Sequence, residues 1–154
     1  MKTNPFKVLS VTFCVMFAAL VATSITPAKA KKTAIVENAG LIAEATKNIE
    51  FDFAKAGVRN DYYQNLNLLV KLMSEKSYAL SLRGHADAIG SYVPNWKLSD
   101  KRAIQVKEYL VSKGVKAERI VTTPYGSTVP IASNKTEEGR QKNRRVEIKL
   151  QEIE

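Results

Sequence analysis

The alternation of two apolar periods does most to limit what this chain can fold into. Ile49, Phe51 and Phe53 alternate with Glu50 and Asp52, and a period of two marks a half-buried strand. Tyr62, Leu66, Leu69, Val70 and Met73 then recur at helical spacing. They form one face of an amphipathic helix that ends near Lys76. Asn60 or Asp61 can cap it, because a short side-chain oxygen accepts an orphan amide there. Leu80 and Leu82 alternate with Ser81 and Arg83 in a second strand that ends at Gly84. The next helix follows Asn95, read as its N-cap, and runs to Lys113, with Gly114 at C′. Ile120 to Tyr125 reads as a third strand stopped by Gly126, and Thr136 to Gln141 as one or two helical turns. Arg145 to Leu150 closes the chain as a strand with Val146, Ile148 and Leu150 on one face. The order β-α-β-α-β-(α)-β predicts an α/β fold, an α+β sandwich. Two main helices pack on one face of a mixed four-stranded sheet.

Residues 1–30 read as a secretory signal peptide: Lys2 and Lys7, an apolar run from Val8 to Ile25, and an A-x-A site at Ala28-Lys29-Ala30. The other reading of the apolar run is an uncleaved anchor helix, since eighteen residues just reach spanning length. Residues 31–47 form a Lys- and Ala-rich leader, and 48–154 the folded domain. Cleavage after Ala30 removes three lysines and takes the formal charge from +9 to +6, which favours anionic partners. Cys14, the single cysteine, lies inside the signal. The remaining chain then has no disulfide, thiolate metal site or cysteine nucleophile. Val11-Thr12-Phe13 before Cys14 are not the small residues of a lipoprotein signal. A soluble exported product is expected, associated with membrane only if the N-terminal segment is retained.

One stretch, Gly84 to Ala103, concentrates the candidate chemistry. At 100° per residue, Leu98, Ala103, Val106, Tyr109 and Leu110 share an apolar arc, and Arg102 falls inside it. Such a guanidinium either snorkels to water or opens into a cleft. Asp87, on the loop before this helix, lies at the same sheet edge, and the two charges suit a zwitterionic group. Asp87 also reads as a turn aspartate before Gly90. His85 and Asp87 are too few for a metal site, and with Ser99 they do not make a hydrolase triad. Trp96 reads as packing. Asn143-Arg144-Arg145 is either a solvated basic edge or a second anion contact through Arg144. Basic residues without interleaved aromatics do not make a single-strand platform, so no nucleic acid partner is expected.

These motifs together resemble the OmpA-like peptidoglycan-binding domain of outer-membrane porins, peptidoglycan-associated lipoproteins and flagellar stator proteins. The resemblance covers about Ile49 to Leu150. It rests on Phe51-Asp52-Phe53-Ala54-Lys55, on Gly84-His85-Ala86-Asp87 with Gly90, and on Asn95 with Leu98-Ser99 and Arg102-Ala103. Gly114, Ile120, Pro130, Asn134-Lys135-Thr136, Gly139-Arg140 and Asn143-Arg144-Arg145-Val146-Glu147 continue it. Ala86 stands where the family has threonine, and Tyr125-Gly126 where it often has G-x-G. The resemblance implies a free-standing, non-catalytic periplasmic module of the cell wall or outer membrane, without cofactor. It would bind diaminopimelate-type peptidoglycan, with envelope proteins as further candidate partners. It gives Asp87 and Arg102 to diaminopimelate, with Asn95 and the loop at Ala54 framing the pocket. Two other readings stand beside it: an inner-membrane-anchored wall tether with an uncleaved N-terminal helix, and a cell-wall hydrolase using His85 and Asp87.

Overall fold

Three of the four strands run the same way, and this decides where the loops meet. The computed structural model describes residues 39–153. Helix α1 occupies 39–45. It is followed by β1 (Ile49–Glu50), a 3-10 turn (Asn60–Tyr62), α2 (Tyr63–Glu75), β2 (Tyr78–Gly84) and α3 (Tyr92–Ser112). A second 3-10 turn (Ala117–Arg119) leads to β3 (Ile120–Pro124), α4 (Glu137–Asn143) and β4 (Arg145–Glu152). The sheet order is β1-β4-β2-β3. β4 pairs antiparallel with both β1 and β2, while β3 lies parallel to β2. The parallel pair requires a crossover, which α3 supplies. This is the mixed four-stranded sheet with packed helices expected from the sequence.

The core follows the two periods. β2 alternates buried and half-buried residues along its length. Leu80 and Leu82 meet Val146 and Ile148 of β4, Leu66, Leu69, Leu72 and Met73 of α2, and Ala103, Val106 and Leu110 of α3 in one cluster. Ala45, from the segment read as a leader, is fully buried in the same cluster. Helix α3 ends as its sequence requires. Gly114 has φ +94°, its amide donates to Val111 O at 2.9 Å, and the Val115 amide donates to Leu110 O at 3.1 Å. That is a Schellman closure. Thr136 caps α4, its Oγ1 accepting from the Gly139 amide at 3.1 Å.

Some details differ from the sequence reading. The alternation over Ile49–Phe53 yields a strand of only two residues. Phe51 is buried and its amide donates to Arg144 O at 2.8 Å, but the chain then turns away at Ala54, whose φ is +56°. Asn60 and Asp61 form the 3-10 turn, with no side-chain cap on α2. Helix α3 begins at Tyr92, before Asn95. The signal peptide and residues 31–38 of the leader lie outside the described residues. Among the described residues no helix is long and apolar enough to cross a membrane.

Candidate functional site

Because β1, β2 and β3 share a direction and β4 opposes them, the C-terminal ends of three strands and the N-terminal end of the fourth gather at one pole. The loops after β1 and β2, the start of α3 and the start of β4 enclose a cleft of about 230 Å³ there. Phe53, Ala54, Ile89, Pro94 and Leu98 form its apolar walls, and Asp87, Asn95, Arg102 and Arg144 supply its polar groups. All five residues named from the sequence, Asp87, Arg102, Asn95, Ala54 and Arg144, therefore line one cavity.

Arg102 does not snorkel: it is fully buried. Its Nε donates to Lys55 O at 2.9 Å, Nη1 to His85 O at 2.8 Å and Nη2 to Asp52 O at 3.1 Å. One guanidinium thus ties the loop after β1 to the end of β2, and it stands 5.3 Å from the Phe51 ring centre. The left-handed turn at Ala54 lies between the two loop carbonyls that it holds. Burial pushes the Arg102 pKa down to about 10, against the opposing pull of Asp87. None of its three partners is charged. Two of its five N–H donors remain beyond these bonds.

Asp87 makes its direct ion pair with Arg144, not with Arg102. Its Oδ2 accepts from Arg144 Nη1 at 2.9 Å, with both side chains buried. Its Oδ1 accepts from the Ile89 amide at 3.0 Å, so the turn-aspartate role is also present. Arg144 continues to the exposed Glu137 at 2.7 Å. Burial alone would lower the Arg144 pKa, but the hydrogen bonds it donates to Asp87 and Glu137 outweigh it and hold the pKa above the ordinary arginine value. Arg144 is accordingly neither a solvated edge nor a free anion contact. Asn95 is not an N-cap. It sits one turn inside α3 and its Nδ2 donates to Asp87 O at 3.3 Å and Ile89 O at 3.0 Å, fixing the loop that carries the carboxylate.

His85 turns away from this cleft. Its ring stacks on Tyr125, with centroids 5.1 Å apart and 12° between planes. Its Nε2 lies 3.6 Å from Glu147 Oε1. Both ring nitrogens are buried without a hydrogen-bond partner. Burial, helped by Arg145, pushes its pKa down to about 4. His85 and Asp87 therefore face different surroundings, which removes the acid–base pair on which a hydrolase would depend. No group of three metal-capable side chains occurs among the described residues. Trp96, expected to pack, is 42% exposed. Sequence reasoning missed the apolar walls and also Asn143. That side chain is buried and its Oδ1 accepts from the Ile131 and Ala132 amides at 2.8 and 3.0 Å. A polar residue at a helix end beside two arginines gave no sign that it holds the β3–α4 loop.

Residues 50–144 match the OmpA family. The chain belongs to that family. It is 44% identical over 105 residues to outer membrane protein A of Bordetella avium, a match covering 65% of this chain and 52% of that one. It is 46% identical over 87 residues to the peptidoglycan-binding protein ArfA of Mycobacterium tuberculosis, covering 56% and 27%. The chain thus spans about half of the first relative and about a quarter of the second. Among solved structures, the peptidoglycan-associated lipoprotein of Burkholderia pseudomallei superposes with a TM-score of 0.66 at 27% identity, over 70% of this chain and 92% of that one. The cell wall anchor of the type VI secretion system (T6SS) of Pseudomonas aeruginosa gives 0.60 at 27% identity, over 79% and 96%.

Proposed function

We propose that this OmpA-family domain binds peptidoglycan without turnover, in the periplasm, by holding the free end of diaminopimelate in the polar cleft. One observation carries this. A carboxylate and a fully buried guanidinium share a cleft with apolar walls, and the guanidinium's bonds all go to uncharged carbonyls. A buried cation of that kind favours an anion in the space beside it. The diaminopimelate terminus carries an ammonium and a carboxylate on one carbon. Its carboxylate takes the remaining Arg102 donors, its ammonium takes free lone pairs of Asp87, and its methylene chain lies between Phe53, Ile89 and Leu98. Membership of a family whose relatives include a peptidoglycan-binding protein and a cell wall anchor supports the same ligand.

The proposal includes export with cleavage after Ala30, motivated by Ala28-Lys29-Ala30 behind an apolar run. The test is retention of the protein from a periplasmic extract on purified diaminopimelate-type sacculi. An intact mass beginning at Lys31 checks the export, and a mass that keeps residues 1–30 favours the anchored tether instead. D87N preserves the side-chain shape and its turn but removes the charge. Because it also removes the carboxylate paired with the buried Arg144, we expect D87N to melt below the wild type and, at a temperature where both are folded, to lose most of its retention. Equal retention of D87N and wild type would refute the site.

A further inference from the structure

Exposed apolar surface is unevenly spread over the described residues. Seven of the twelve exposed large hydrophobic side chains lie on the pole that holds the cleft, among them Phe53, Ile89, Tyr92, Trp96, Val129 and Ile131. A concentration of this kind marks a contact surface. Within it, Tyr92 and Trp96 are 60% and 42% exposed, and a spacing of four places both on one side of α3, a turn apart. At 100° per residue they lie about 120–160° around the helix from Pro94 and Leu98, which line the cleft. The rings therefore stand on the far flank of the same first turns whose near flank forms the pocket wall. Those turns are held in place. Ser99 Oγ donates to Trp96 O at 2.7 Å and accepts from the Gly126 amide at 2.9 Å.

We infer that Tyr92 and Trp96 form a saccharide platform, which takes the sugar of the glycan strand to which the stem in the cleft is attached. This rests on the peptidoglycan reading of the cleft and extends it by a second subsite. The geometry fits in length. A diaminopimelate at the third stem position is separated from the sugar by an extended run of about 10 Å, at roughly 3.3–3.6 Å per residue. Around a helix about 10–12 Å across, an arc of about 120–160° is roughly 10–17 Å, which that run spans once the length of the diaminopimelate side chain is added. A stem leaving the cleft over the start of α3 thus delivers its sugar to the far flank. The chemistry fits as well. A pyranose offers a C–H face to an aromatic ring and keeps its hydroxyls in water, and these rings are half exposed beside the exposed Ser91 and Lys97. Two rings a turn apart match one or two sugars.

Covering the exposed part of an indole removes roughly 60–100 Å² from water, enough for about a tenfold gain in affinity. The experiment titrates the full chain, and its W96A and D87N variants, with two probes: the stem tripeptide ending in diaminopimelate, and the same tripeptide on its disaccharide. We expect the wild type to bind the disaccharide form about tenfold more tightly, and W96A to bring the two affinities together. D87N should weaken both probes while keeping their ratio, which separates a failure of the cleft from a failure of the platform. Equal affinity of the wild type for the two probes, or a tenfold ratio that persists in W96A, would overturn the platform.

Discussion

Arg102 and His85 are both buried, and each meets the cost differently. Arg102 stays charged by surrounding itself with carbonyl oxygens from two loops. His85 stays neutral, with its pKa pushed down to about 4 by burial. In the unfolded chain a histidine titrates near 6.5. The folded value is the lower one, so His85 contributes stability that is fully present above pH 6.5 and is lost as the pH falls toward 4. The loss is at most about 3 kcal/mol, and less by whatever water reaches the ring. Glu137 and Glu147 also have lowered values, but their stabilisation is lost only below about 4.5. H85F removes the proton site and keeps a flat ring against Tyr125. Urea unfolding at pH 7, 5.5 and 4.5 should therefore show a falling stability in the wild type and a much flatter one in H85F. Parallel pH dependences would mean that the histidine is not responsible. What the sequence revealed at this scale was position rather than partner. Helical phase placed Arg102 on the core side, but no local pattern could show that Asp87 gives its direct pair to Arg144, 57 residues later.

At the scale of elements, the site depends on α3 lying very close to β2. A Cβ added to Gly84 would sit 1.9 Å from Ser99 O, so strand and helix backbones meet with no side chain between them. Both atoms belong to regular elements and neither can move alone. G84A should therefore cost about 3 kcal/mol or more, in the range of severe overpacking. It should show as a lower urea midpoint and a weaker grip on the stem peptide, because His85 O and Asp87 follow directly. A wild-type midpoint would mean that α3 is free to shift. In the sequence Gly84 marks the end of a strand and the start of a motif, but a glycine does not say what approaches it. The start of α3 was misjudged for a related reason. Asn95 read as the N-cap, yet the helix already includes Pro94 in its first turn, where the missing amide has no intrahelical partner to lose. The Asn95 amide already donates to Ser91 O at 3.2 Å. The period-two run at Ile49–Phe53 ended early, and beyond it the carbonyls of Asp52 and Lys55 accept from Arg102. The long elements were legible because their burial faces one partner only. The short ones were decided by tertiary contacts.

For the whole molecule, the sheet order explains why residues from Ala54 to Arg144 reach a single cleft. Three co-directional strands and one opposed strand put every site-bearing segment at the same pole. The central claim is that this pole selects a ligand with both charges on one carbon. A lysine terminus offers the ammonium alone and leaves Arg102 without an anion in a buried setting. Leaving one member of a buried charge pair unpaired costs about 3–5 kcal/mol, less where water enters, and about 1.4 kcal/mol is already tenfold. R102K keeps the positive charge but loses the planar fork that grips a carboxylate while holding two loops. The most direct measurement is a titration of the full chain with two stem peptides that differ only in diaminopimelate or lysine at the third position. We predict at least a tenfold preference for diaminopimelate (from), largely erased in R102K. Equal affinity of the wild type for both peptides would contradict the account and leave the buried charges with a structural role alone.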